Sequence, residues 1–100
     1  MAHVLSMVAF HVKDAHRVAF LKAAREVLKP YWESHGTEAY EVYAEIGPTG
    51  PTGRVVEVHR LKDREAYARM SEHVRSVKDI PGEPYRWLHD PEFRVLESRV

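Results

Sequence analysis

Residues 39–61, AYEVYAEIGPTGPTGRVVEVHRL, limit the possible folds of this chain more than any other stretch. Two alternating apolar runs flank a segment of Gly, Pro and Thr, which is the pattern of a β-hairpin. Val42, Ala44 and Ile46 alternate with Glu41, Tyr43 and Glu45 in the first run. Val56 and Val58 alternate with Val55, Glu57 and His59 in the second. The intervening GPTGPTG at 47–53 reads as turn chemistry. It lacks the Lys-Ser/Thr ending of a phosphate-binding loop and leads into a strand rather than a helix.

A helical pattern lies on each side of the hairpin, and a strand pattern closes each end. Residues 3–12, HVLSMVAFHV, form a strand that is substantially apolar on both faces. A chain this short has little to cover both, so a partner subunit is expected. Asp14 is the expected cap of a helix running to about Ser34. Its buried stripe is predicted at Val18, Leu21, Ala24, Leu28 and Tyr31 or Trp32, widened by Phe20, Ala23 and Val27. Pro30 should kink or break its last part, and Gly36 suits its end. Asp63 caps a second helix over about 64–78, with Ala66, Met70, Val74 and Val77 inward. Residues 79–91 make a proline-rich connection, with a short helical turn at 85–89. Residues 92–99 supply the last strand, with Phe93 and Val95 on one side and Leu96 on the other.

The order β-α-β-β-α-β is most simply satisfied by an α+β, ferredoxin-like fold. Its four-stranded antiparallel sheet has strand order 4-1-3-2 and both helices on one face. The other face is left open, with Met7 or Val8, Tyr43, Val55 and one side of the last strand expected on it. Two such faces closed on one another would make a dimeric α/β barrel with a central cavity.

At 100 residues the chain suits a single domain, 1–100. Lys plus Arg total 15 and Asp plus Glu total 15, so nothing steers it to nucleic acid or an anionic membrane. There is no cysteine, which excludes disulfides, thiolate nucleophiles and cysteine metal sites and agrees with a cytoplasmic setting. Asn and Gln are also missing, a bias expected of a thermophilic host. The N-terminus lacks the features of a signal peptide, and no apolar run is long enough to span a membrane.

The chain resembles the dimeric α/β-barrel superfamily, which includes antibiotic-biosynthesis-type monooxygenases, haem-degrading monooxygenases and the NIPSNAP and EthD groups. The closest likeness is to the NIPSNAP type. It rests on His35-Gly36, on Gly53-Arg54-Val55-Val56-Glu57-Val58, on Tyr67 and Met70, and on Asp90-Pro91-Glu92-Phe93. The resemblance implies a homodimer, often with a pocket between sheet and helices, but no single activity. Haem-degrading members use an asparagine, a tryptophan and a helix-borne histidine. Here there is no asparagine, Trp87 falls outside their pattern, and only His73 corresponds, which argues against haem degradation.

The candidate catalytic residues are His59, Tyr43, Glu57 and His73. Symmetric pairing through the loop sets Glu45 opposite Val55, Tyr43 opposite Glu57 and Glu41 opposite His59, all facing away from the helices. A carboxylate beside His59 would tune it as a general base, and Tyr43 would hydrogen-bond a ligand oxygen. Cross-strand charge pairs that only fix register are the plainer alternative. His73 would border the cleft between helix and sheet. The seven histidines form no metal-ligand motif, although His11 and His59 could approach on neighbouring strands. No cofactor or metal is expected. Two functions are consistent with this pattern. One is a homodimer, joined through the open sheet face, that holds a small apolar or aromatic ligand in a sheet–helix or dimer cavity. The other is a cofactor-independent monooxygenase-like enzyme with a His/Glu/Tyr site.

Overall fold

The computed structural model describes residues 2–77 and 79–100. Strands β1 (Val4–His11), β2 (Ala39–Gly47), β3 (Gly50–Leu61) and β4 (His89–Glu97) form one sheet in the order β2-β3-β1-β4. All three pairings are antiparallel, and the order is the expected one read from the opposite edge. Helix α1 (Asp14–Ala23) continues through a π-helical turn (Ala24–Leu28) into α2 (Lys29–Glu33). Helix α3 (Arg64–Ser76) and a 3-10 helix (Glu83–Trp87) lie between β3 and β4. The short helical turn thus begins two residues earlier than expected. Among the described residues no helix is long and apolar enough to cross a membrane.

The sheet does not close into a barrel, contrary to the expectation from sequence. Strands β2 and β4 are its two free edges, and four strands are too few to pair around a circle. The thermophile expectation also finds no counterpart. Glu97 pairs with both Arg64 and Arg99, but most of the other described ion pairs are isolated surface contacts that contribute little.

The helical stripe is rotated from its predicted position. Phe20, Ala24, Leu28 and Trp32 are buried at four-residue steps, whereas Val18 is 81% exposed. In a regular α-helix such a row drifts around the axis. The π turn, where Lys29 N–H reaches Ala24 O, unwinds the drift and keeps the row aimed at the sheet. It lies immediately before Pro30, which has no N–H for the regular ladder. The row packs on Val8, Phe10, Tyr40 and Val55. Phe10 and Phe20 meet edge-on, with ring centroids 5.3 Å apart. Asp14 is the first residue of α1 rather than its cap; Lys13 holds that place without a side-chain bond. Asp63 caps α3 as expected, accepting the Ala66 N–H at 2.9 Å.

The hairpin differs most consequentially. Gly47 pairs with Gly50, so the turn is Pro48-Thr49, tighter than the expected seven-residue loop. Beyond it, Ile46 pairs with Pro51 but Ala44 with Val55, so β3 holds two extra residues in a bulge. Gly53 lies there at φ 86°, a conformation that suits glycine. The resulting pairs are Tyr43 with Val56, Val42 with Glu57, Glu41 with Val58 and Tyr40 with His59. Each differs by one residue from the symmetric register, and a one-residue slip reverses a strand's faces. Val55, Glu57, His59 and Leu61 therefore face the helices. Val56, Val58 and Arg60 share the open face with Leu5, Glu41, Tyr43 and Glu45, around a groove of about 330 Å³.

Candidate functional site

Between the sheet and the helices lies a cleft of about 460 Å³. Its walls are mainly apolar, formed by Val8 and Phe93 from the sheet, Met70 and Val74 from α3, and Ile80 and Leu88 from the connection. Glu57, His59, Trp32, Tyr85 and Ser6 also line it. Glu57 is 4% exposed and His59 is 6% exposed. Carboxylates are rarely buried so deeply unless they are paired, and the surroundings of Glu57 supply the pairing.

The Tyr40 hydroxyl donates to Glu57 Oε2 at 2.5 Å. His59 Nε2 lies 3.5 Å from Glu57 Oε1, and His59 Nδ1 lies 3.0 Å from the Thr37 hydroxyl. The Trp32 indole N–H donates to the Tyr85 hydroxyl at 2.9 Å. Burial, then the Glu57 charge and the bond to it, hold the Tyr40 hydroxyl far above the ordinary phenol range. Burial and the Glu57 charge do the same to Tyr85, opposed in part by the Trp32 bond. Both phenols thus stay protonated and serve as donors.

Local backbone features place these groups. Gly36, at φ 102°, turns the chain after α2, and Thr37 N–H bonds back to Trp32 O. Glu33 accepts both the Tyr40 N–H and the Lys29 ammonium, and Lys29 also donates to Tyr40 O, which ties α2 to the start of β2. The 3-10 helix, with Pro84 buried in its first turn, carries Tyr85 inward.

Of the predicted site residues, the fold brings Glu57 and His59 together. They face the helices rather than the open face, which corrects the predicted orientation. Tyr43 does not join them. It lies on the other face, donating to Glu41 at 2.7 Å, and that bond holds its hydroxyl above the ordinary phenol range. His73 forms a neighbouring cluster, with Nε2 2.6 Å from the Tyr31 hydroxyl and its ring 5.0 Å from that of His35. Burial first, then the charge of Asp79, hold the Tyr31 hydroxyl above the ordinary phenol range. His59 and His73 both pack against Trp32, with ring centroids at 5.0 and 6.0 Å. His11 pairs with Arg54 while His59 pairs with Ser6, so the two histidines do not approach one another. Among the described residues no group of three or more His, Cys, Asp or Glu side chains is placed to hold a metal.

Thr37, Tyr40 and Tyr85 were not anticipated as site residues. Tyr40 alternates in phase with Val42, which marks it as inward once that face is known. Thr37 and Tyr85 lie outside the strands, where periodicity carries no signal.

No protein-family model and no curated protein matches the chain. Solved structures share its fold. A dimeric ferredoxin-like protein from an uncultured marine organism superposes with a TM-score of 0.69 at 12% identity, covering 100% of this chain and 90% of that one. A NIPSNAP family protein of unknown function from Agrobacterium tumefaciens gives 0.66 at 14%, covering 96% and 87%. A candidate antibiotic biosynthesis monooxygenase from Bacillus cereus gives 0.66 at 15%, covering 100% and 96%. The chain therefore has a ferredoxin-like fold of the kind seen in NIPSNAP and antibiotic-biosynthesis-monooxygenase structures.

Proposed function

We propose that this chain is a single-domain cytoplasmic protein that binds a small aromatic or largely apolar ligand in the sheet–helix cleft, held at one end by Glu57 and His59. The observation that carries this reading is an apolar cleft of about 460 Å³ that meets a buried, hydrogen-bonded carboxylate. Burying Glu57 is costly, and an apolar side chain would fill the same place more cheaply. A second reading, monooxygenase-like turnover without a cofactor, is favoured by the Glu57–His59 pair at the cleft wall. There the pair would take a proton from the bound ligand. Tyr43, on the other face, has no part in it.

Calorimetric titration with 2-naphthol tests both readings. Saturable binding is expected, and Met70→Trp, which fills the cleft without touching the polar groups, should weaken it at least tenfold. Equal binding to the variant would place the ligand elsewhere. Oxygen uptake in the same samples separates the readings: uptake lost in His59→Ala supports turnover, and no uptake supports binding alone.

A homodimer joined through the open sheet face belongs to the same proposal. Leu5, Val56, Val58 and Tyr43 make an apolar centre there, rimmed by Glu41, Glu45 and Arg60. The fold relative from the marine organism is described as dimeric. Sedimentation at micromolar concentration should give a dimer, and Val56→Lys should give a folded monomer. A wild-type monomer would refute the dimer without bearing on the cleft.

A further inference from the structure

The geometry points to a cleft whose polar end offers hydrogen-bond acceptance and negative charge, so that it selects ligands bearing an O–H or N–H and rejects carboxylates and ethers of the same shape. This rests on the cleft-binding reading and names its ligand class. The selectivity follows from which donors at the polar end are already engaged. The Tyr40 proton is committed to Glu57 at 2.5 Å. The Trp32 N–H is committed to the Tyr85 hydroxyl at 2.9 Å.

His59 adds no free donor. Its Nε2 faces the Glu57 carboxylate at 3.5 Å and its Nδ1 faces the Thr37 hydroxyl at 3.0 Å. When neutral, the ring carries its proton on Nε2, towards the carboxylate, and Nδ1 accepts from Thr37. When protonated, it donates to both partners. In neither state does an N–H point into the cleft. The carboxylate differs, because its two oxygens offer about four lone-pair positions and Tyr40 and His59 occupy at most two. What remains for a ligand is an acceptor with negative charge. The Tyr85 hydroxyl, which accepts from Trp32, and Ser6, on β1 opposite His59, also line the cleft; each can donate to a naphthol and to its ether alike, so the unfilled Glu57 position still decides between them.

An acceptor-only ligand would leave that position unfilled after losing its own water, and a carboxylate would add like charge at short range. Three probes of one shape isolate the effect: 2-naphthol, 2-methoxynaphthalene and 2-naphthoate. Calorimetry on the wild-type protein should rank naphthol first, at least tenfold tighter than the ether and tighter still than the carboxylate. Ser6→Ala should keep this order. Glu57→Gln, which exchanges one acceptor oxygen for a donor, should reduce the naphthol advantage to less than threefold.

If the ether or the naphthoate binds as tightly as the naphthol, the selectivity is wrong while the cleft reading stands. If the order collapses in Ser6→Ala, Ser6 and not Glu57 sets it, which also overturns the proposal. If none of the three binds, the cleft reading itself fails. The wild-type ranking decides the matter even if Glu57→Gln does not fold.

Discussion

Glu57→Ala is expected to destabilise the fold by about 3–5 kcal/mol, a large part of the margin of a domain this size. The substitution does more than remove a charge. It leaves the buried Tyr40 hydroxyl without its acceptor and the His59 Nε2 without its partner. Each buried polar group left unsatisfied costs about 1–3 kcal/mol. Tyr40→Phe, which removes one donor and leaves the others, should cost about 1–3 kcal/mol on the same scale. Urea unfolding followed by tryptophan fluorescence measures both, since Trp32 packs against His59 beside Glu57. A loss of less than 1 kcal/mol for Glu57→Ala would mean that water reaches the carboxylate and the network does not hold it.

Phe20→Ala should cost about 3–5 kcal/mol, by loss of transfer energy and by the cavity left behind. Phe20 has no exposed surface, and its ring meets Phe10 edge-on. Val18→Ala should stay within about 0.5 kcal/mol, because surface substitutions away from special contacts change little. The contrast measures the rotation of the helical stripe. If Val18→Ala cost as much as Phe20→Ala, the helix would face the sheet with its other side.

The hairpin and the Asp63 cap were legible because each has a local cause, alternation with turn residues or a side chain placed to accept an N–H, and the strand order followed from the order of elements and the handedness of their connections. The faces of β3 were not. Val55, Glu57, His59 and Leu61 alternate with Val56, Val58 and Arg60, and each set carries two apolar residues. The reasonable rule that charged groups face outward then sends Glu57 and His59 to solvent. The fold breaks that rule because Tyr40, from β2, donates to Glu57 and offsets part of the cost. The bulge at Gly53 hid the register in the same way, since its two extra residues interrupt a pattern that looks symmetric about the loop. Barrel closure was an inference from the uncovered sheet face, and a face can stay open when the edges do not meet. Tyr43 was placed on the correct face, and the slip in β3 alone separated it from Glu57 and His59.

In the proposed function a ligand occupies the helix side of the sheet, against the buried Glu57–His59 pair. Titration of isotope-labelled protein with 2-naphthol, followed by NMR, tests it most directly. Saturable shifts are expected at the Trp32 indole N–H, the His59 ring, the Met70 methyl and Leu88, with the open face unaffected. Shifts confined to Leu5, Tyr43, Val56 and Arg60, or no saturable shift, would contradict it.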